Sequence, residues 1–226
     1  NTPLNASVPA AIDVDGTIAG YALVSSVGAG NGALAFNSDG TFTFDPGSDF
    51  DTLSLGATRD VTFTYRATDN SGAVSNVATV TITVTGTNDG PVAFNAAQTT
   101  GENSTLNASV PAASDVDGTI SSYTLAGNVG ANNGTLTFNA DGSYSFATGA
   151  DFDSLAAGQS RDVSFTYTAT DNDGAVSAPA TVTITVTGAN DAPTGADATY
   201  TIAEDGSRAF AGADFGFADL DIGDTL

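Results

Sequence analysis

A tandem array of antiparallel β-sandwiches is predicted by three observations. Residues Leu4–Gly86 recur at Leu106–Gly188, at a constant offset of 102 and without a gap. Roughly two-thirds of the aligned positions are identical, and a fixed period is the mark of stacked like units. Apolar and β-branched residues alternate with threonine in several short runs, the period of a half-buried strand. No segment sustains a helical period, and Gly-, Asn- and Asp-rich turns separate the runs.

The strands can be justified in order. Asn5–Ala10, Ile18–Val24 and Ala33–Phe36 are the weaker runs. Phe42 and Phe44 alternate between threonines. Val61, Phe63, Tyr65 and Ala67 share one face, with Thr62, Thr64, Arg66 and Thr68 on the other. Thr79–Thr85 places Val80, Ile82 and Val84 together. The second copy repeats each run, and Ala97–Thr100 supplies it with an opening strand. Asn37-Ser38-Asp39-Gly40 and Asn139-Ala140-Asp141-Gly142 stand between strands as hairpin turns. Leu53–Ala57 is expected to form one short helical turn at most. About seven short strands with one apolar face each imply an immunoglobulin-like sandwich.

Composition narrows the function. The chain has 226 residues, enough for two domains of about 100 residues each. Its formal net charge is −22, and its four basic residues, Arg59, Arg66, Arg161 and Arg208, leave no lysine. Such a surface repels nucleic acid and anionic membranes, and no apolar run approaches the ~20 residues of a membrane-spanning helix. The partner it invites is a divalent cation. With neither Cys nor His, disulfides are ruled out and zinc, copper and haem are disfavoured, leaving a hard cation on oxygen ligands. Without His, Cys or Lys, catalysis would rest on carboxylate pairs such as Asp49 and Asp51, and an enzyme is not expected.

The domain boundaries fall at Thr87-Asn88-Asp89-Gly90-Pro91 and Ala189-Asn190-Asp191-Ala192-Pro193. The expected units are 1–88, with its first strand missing, 89–190, and 191–226 as the start of a third, more divergent repeat. No signal peptide opens the chain, which reads as a fragment of something longer. Each linker is too short to be a tether.

The aspartates divide into classes. Asp13-Val14-Asp15-Gly16 and Asp115-Val116-Asp117-Gly118 set two carboxylates at i and i+2, on one side of an extended chain where one cation meets both. Asp69-Asn70-Ser71-Gly72 and Asp171-Asn172-Asp173-Gly174 end a strong strand with similar chemistry. Retention of the whole set at one period favours Ca2+ over plain turns. Asp39 and Asp141 are explained by their hairpins. For Asp60 and Asp162, which follow Arg59 and Arg161, a local ion pair and metal ligation both stand open.

These residues resemble the cadherin-like and VCBS repeats of very large bacterial surface proteins, including RTX adhesins. The resemblance spans essentially the whole chain. It is carried by Val182 through Asn190-Asp191-Ala-Pro193, Asn133-Gly134 through Asp141-Gly142, and Ala169-Thr-Asp171, with Glu204-Asp205-Gly206 and Asp219-Leu220-Asp221-Ile222-Gly223-Asp224 in the tail. It implies calcium held at junctions between repeats. The first junction would use Asn88 and Asp89 with Asp115, Asp117 and Asp171. The second would use Glu102, Asn190 and Asp191 with Asp219 and Asp221. No Leu-Asp-Arg-Glu cluster appears, and only Asp49, Asp51 or Asp60 (Asp151, Asp153 or Asp162 in the second copy) could stand in, so one or two ions per junction are expected.

The resemblance further implies a secreted or cell-surface stalk that calcium makes rigid and that extends an adhesive tip in cell adhesion or biofilm formation. Its partners would be calcium ions, neighbouring repeats and other copies of itself. Two alternatives are homophilic or carbohydrate binding by the units themselves, and a stalk accessory to a secreted polysaccharide-degrading enzyme.

Overall fold

The computed structural model describes residues 2–223, so Asp224, cited above in the tail motif, lies outside the described residues, as do the extreme ends of the first and third expected units. Six strands form the first copy: β1 (Leu4–Ser7), β2 (Ile18–Ser25), β3 (Ala33–Phe36), β4 (Thr41–Asp45), β5 (Thr58–Asp69) and β6 (Ala78–Thr85). They pair as two sheets, β1-β4-β3 and β2-β5-β6. The second copy adds a strand: β7 (Ala96–Gly101), β8 (Thr105–Ser109), β9 (Ile120–Gly127), β10 (Thr135–Phe138), β11 (Ser143–Ala147), β12 (Ser160–Asp171) and β13 (Ala180–Thr187). Its sheets run β10-β11-β8 and β7-β13-β12-β9. The chain divides into one unit of Asn1–Gly90 with Asp115–Thr119 and another of Pro91–Ser114 with Ile120–Leu226.

The period-2 pattern explains both cores. On β5, Val61, Phe63, Tyr65 and Ala67 are all buried, and the first three share a core with Phe42, Phe44 and Phe50. Phe63 packs edge-on to Phe36 and Phe42, at 5.9 and 5.0 Å between centroids, the offset geometry that aromatic quadrupoles prefer. Phe165, Phe138 and Tyr144 repeat this in the second core. The intervening Thr residues remain on the outer face.

Sequence expectation and structure part at three places. Among the described residues every ladder is antiparallel except β7–β13, which is parallel, with Ala96 opposite Val182 and Gly101 opposite Thr187. β6 and β13 have the same eight residues, yet Val182, Ile184 and Val186 are fully buried whereas Val80 and Val84 are half-exposed. The added edge strand β7 accounts for the difference. The run Asn5–Ala10 pairs only from Leu4 to Ser7, and Val8 donates one more bond to Gly40 O before Pro9, which has no N–H to give. An unforeseen 3-10 helix lies at Gly47–Phe50 and Gly149–Asp151, ahead of Leu53–Ala57, which closes one turn from Ala57 N–H to Ser54 O. The helix drops Phe50 and Phe152 into their cores.

Arg59 and Arg161 do not pair with the aspartates that follow them. Adjacent strand residues point to opposite faces, so Arg59 turns away from Asp60. Its guanidinium stacks 3.8 Å over the Phe50 ring and donates to Asp49 O and Gly30 O. Arg161 does the same over Phe152 at 3.9 Å. Asp60 and Asp162 instead accept the Thr83 and Thr185 hydroxyls.

Candidate functional site

The first Asp-Val-Asp-Gly turn is tied to the end of β5. Asn70 Oδ1 accepts the Thr17 amide at 2.9 Å, and the Asn70 amide returns a bond to Thr17 O. A Cβ at Gly16 would stand 2.5 Å from Asn70 Oδ1 and 2.7 Å from Asp13 Oδ2, so a larger residue would push both side-chain oxygens aside. Asp13 Oδ2 is buried and has no hydrogen-bond partner, while Asp15 is exposed. Asn70 belongs to this constellation although sequence reasoning passed over it; the Asp-Asn dipeptide kept in both copies was the available signal.

In the second copy of that turn, Asp115 Oδ1 accepts the amides of Asp117 and Gly118, and its Oδ2 is buried without a partner. Asp117 is buried and takes the Asp89 amide at 3.3 and 3.4 Å on its two oxygens. Desolvation pushes the Asp117 carboxyl above its ordinary value; the Asp89 amide opposes this, and the carboxylates of Asp115 and Asp89 add to it. Linker and Asp-x-Asp turn are thus brought together within the first unit.

The second linker follows the same plan. The Asp191 amide donates to Asp221 Oδ2 at 2.9 Å, and the Asp221 amide to Asp219 Oδ1 at 3.0 Å. Asn190 turns its side-chain amide to Asp191 O. Val92 pairs with Ser114 after the first linker, and Thr194 with Ala218 after the second, so each linker is stitched just ahead of its Asp-x-Asp turn. Glu102, at the end of β7, is 1% exposed; its Oε1 accepts the Ala189 amide at 2.6 Å and its Oε2 has no partner. Asp221, 4% exposed, likewise has an unpartnered Oδ1.

Asp69 and Asp171 use one oxygen in their own turns. Asp69 Oδ1 accepts the Ser71 and Ala73 amides, and Asp171 Oδ1 those of Asp173 and Ala175. Asp173 is exposed and receives the Asn172 side-chain amide. Asp49 and Asp151 staple hairpins through the Gly32 and Gly134 amides. Asp39 and Asp141 hold Thr41 and Ser143 by hydroxyl and amide, which lowers both carboxyls below their ordinary value.

Among the described residues no three acidic side chains gather tightly enough to hold a metal by themselves. What the structure provides is a set of buried carboxylate oxygens without donors, on Asp13, Asp115, Glu102 and Asp221. Unpaired buried charge is costly, and each of these oxygens is of the hard kind that calcium takes as ligand.

Comparison with known proteins bears on both units. The profile of the bacterial cadherin-like domain matches residues 1–86 and 88–188. A search of curated proteins finds no match. Among solved structures, Drosophila N-cadherin EC1-4 is similar at 15% identity and TM-score 0.50, over 84% of this chain and 47% of that one. The PcdhgB3 EC1-4 structure gives 18% identity and TM-score 0.43, over 98% and 50%. Chicken VE-cadherin EC1-2 gives 15% and 0.35, over 83% and 91%. The chain spans about half the length of the first two structures, and at these identities the likeness is one of fold.

Proposed function

We propose, from the premise that this chain belongs to the bacterial cadherin-like domain family, that its units are calcium-stabilised stalk repeats of a secreted or cell-surface bacterial adhesin. They serve cell adhesion or biofilm formation by extending a binding tip, and they are not catalytic. The repeats are 1–88 and 89–190, with 191–226 opening a third.

The observation that carries this reading is Glu102, a carboxylate 1% exposed with one oxygen unpartnered and no basic group bonded to it. Calcium when bound supplies the missing positive charge. At the first junction Asn88, Asp89, Asp115, Asp117 and Asp171 would hold it; at the second, Glu102, Asn190, Asp191, Asp219 and Asp221. Asp13, Asp15 and Asp69 offer the corresponding groups to a preceding repeat, and Asp173 adds charge beside Asp171. An ion that binds the folded chain alone stabilises it by linkage, and neutralising the linkers removes the repulsion that would loosen them.

The test is solution scattering and thermal melting, first in calcium and then in chelator. Longer particles and a higher melting temperature in calcium are expected. Unchanged length and melting temperature after chelation would sink the proposal.

A further inference from the structure

We infer that the loop following each short helical turn is a latch that sets the exit of the linker without any ion, and that Gly86 and Gly188 are the positioning residues that let it close. A Cβ at Gly86 would lie 2.1 Å from Leu53 O and 2.3 Å from Ser54 O; at Gly188 it would lie 2.1 Å from Leu155 O and 2.4 Å from Ala156 O. These obstacles are backbone, so no side-chain rotation relieves them. Neither glycine has a positive φ, so what is demanded here is room, not an unusual conformation. Both copies make the same contact.

Hydrogen bonds complete the latch. The Gly86 amide donates to Ala57 O at 2.8 Å and Gly86 O accepts from Gly56 at 3.1 Å. The Gly188 amide donates to Gln159 O at 2.9 Å. The loop is anchored from behind: Leu53 and Leu155 pack against the cores, and each amide bonds to the carbonyl of Phe50 or Phe152, the rings beneath Arg59 and Arg161. In front, the same loop reaches the Asp-x-Asp turns. Ser54 Oγ donates to Asp117 O at 2.7 Å, and Ser154 O accepts the Ile222 amide at 3.2 Å. One loop therefore holds the strand end by its glycine and steadies the turn whose carboxylates meet the linker amides.

The latch stands on geometry alone; only its consequence for ion affinity rests on the calcium reading. Amide hydrogen exchange on the whole chain in chelator tests the first part. The Gly86 and Gly188 amides should exchange at least roughly tenfold slower than unstructured amides. Exchange at the unstructured rate would overturn the latch, whatever calcium does. Gly188→Ala should speed exchange at Ala189 and Asp191 in chelator and weaken calcium binding at the second junction by roughly tenfold or more, the scale on which disturbing the groups that orient a ligand acts. Unchanged exchange at those amides would also overturn it.

Ser54→Ala, which removes one hydroxyl and adds no bulk, keeps the test alive if the glycine variant unfolds. It should speed exchange around Asp117 and leave Ala189 and Asp191 untouched; no change around Asp117 counts against the latch. A chain that takes up no calcium yet keeps both glycine amides protected refutes the proposed function and leaves the latch standing.

Discussion

Replacing Glu102 by Gln should make the protein more stable without calcium and less responsive to it. In the folded chain Glu102 Oε1 accepts the Ala189 amide and Oε2 accepts nothing, at 1% exposure. A buried polar group left unsatisfied costs roughly 1–3 kcal/mol, and more if charged. Gln preserves the acceptor and removes the charge, while its NH2 is left unpaired, so the net relief is about 1–2 kcal/mol. For a unit of this size that is a rise of roughly 4–16 °C in chelator. In calcium at a hundredfold over Kd the wild-type site gains about 2.7 kcal/mol, and the variant, lacking a charged ligand, gains less. The calcium-dependent rise in stability is therefore smaller in the variant, and the order inverts once its gain falls below about 0.7–1.7 kcal/mol. Differential scanning calorimetry in EDTA and in calcium reads both. A Gln variant that melts below wild type in EDTA would refute the reasoning, because the carboxylate would then be satisfied by something other than an ion.

Phe63→Ala and Phe165→Ala each empty the centre of one core and should cost about 3–5 kcal/mol; calorimetry should show each variant shifting the transition of its own unit and not the other. Asp117→Ala should loosen the first linker, seen as shorter particles by scattering in calcium, whereas Asp141→Ala should leave particle length unchanged. Acid titration in chelator should separate the same two residues by sign. The Asp141 carboxyl, lowered by its bonds from Ser143, contributes stability that is complete above the ordinary value of 3.8 and lost as pH falls through its folded value. The Asp117 carboxyl is raised, so stability falls as pH climbs from 3.8 through its folded value, and Asp117→Asn should flatten that part of the melting-temperature profile.

Much of the fold could be read because a sandwich writes itself in period two. The alternation in Val61–Ala67 and Thr79–Thr85 located β5 and β6 and named the buried face. The direction of β7 could not be read, because Ala96 meets a partner 86 positions away, at Val182, and local pattern carries no record of it. Of the two readings left open for Asp60, the ion pair with Arg59 fails for a reason that was available: neighbours on a strand face opposite ways. Leu53–Ala57 makes only the single turn allowed it, Ala57 N–H to Ser54 O, whereas the helical turn at Gly47–Phe50 was not read, because three or four residues are too few to show a period. At the site, the Asp-x-Asp turns were legible as chemistry. Glu102 was not; it is one acidic residue among 26 acidic positions, and only family resemblance picked it out before burial did.

The identity of β6 and β13 has a consequence for how the chain acquires its structure. β7 faces two acceptors with the same eight residues, one finished 10 residues earlier, since 86–95 intervene, and one that begins 78 residues later, since 102–179 intervene. Closing the shorter loop is favoured by roughly 2 kcal/mol of chain entropy. In refolding of these 226 residues the nearer edge is open, since the first unit has no strand equivalent to β7 among the described residues. A strand captured there would cap the wrong neighbour until the later partner formed, a kinetic trap of the sort that besets arrays of near-identical repeats. Refolding of the tandem should accordingly show a slow phase that is missing when Thr79, Thr81 and Thr83 are changed to Lys, a charge barrier on the decoy edge alone.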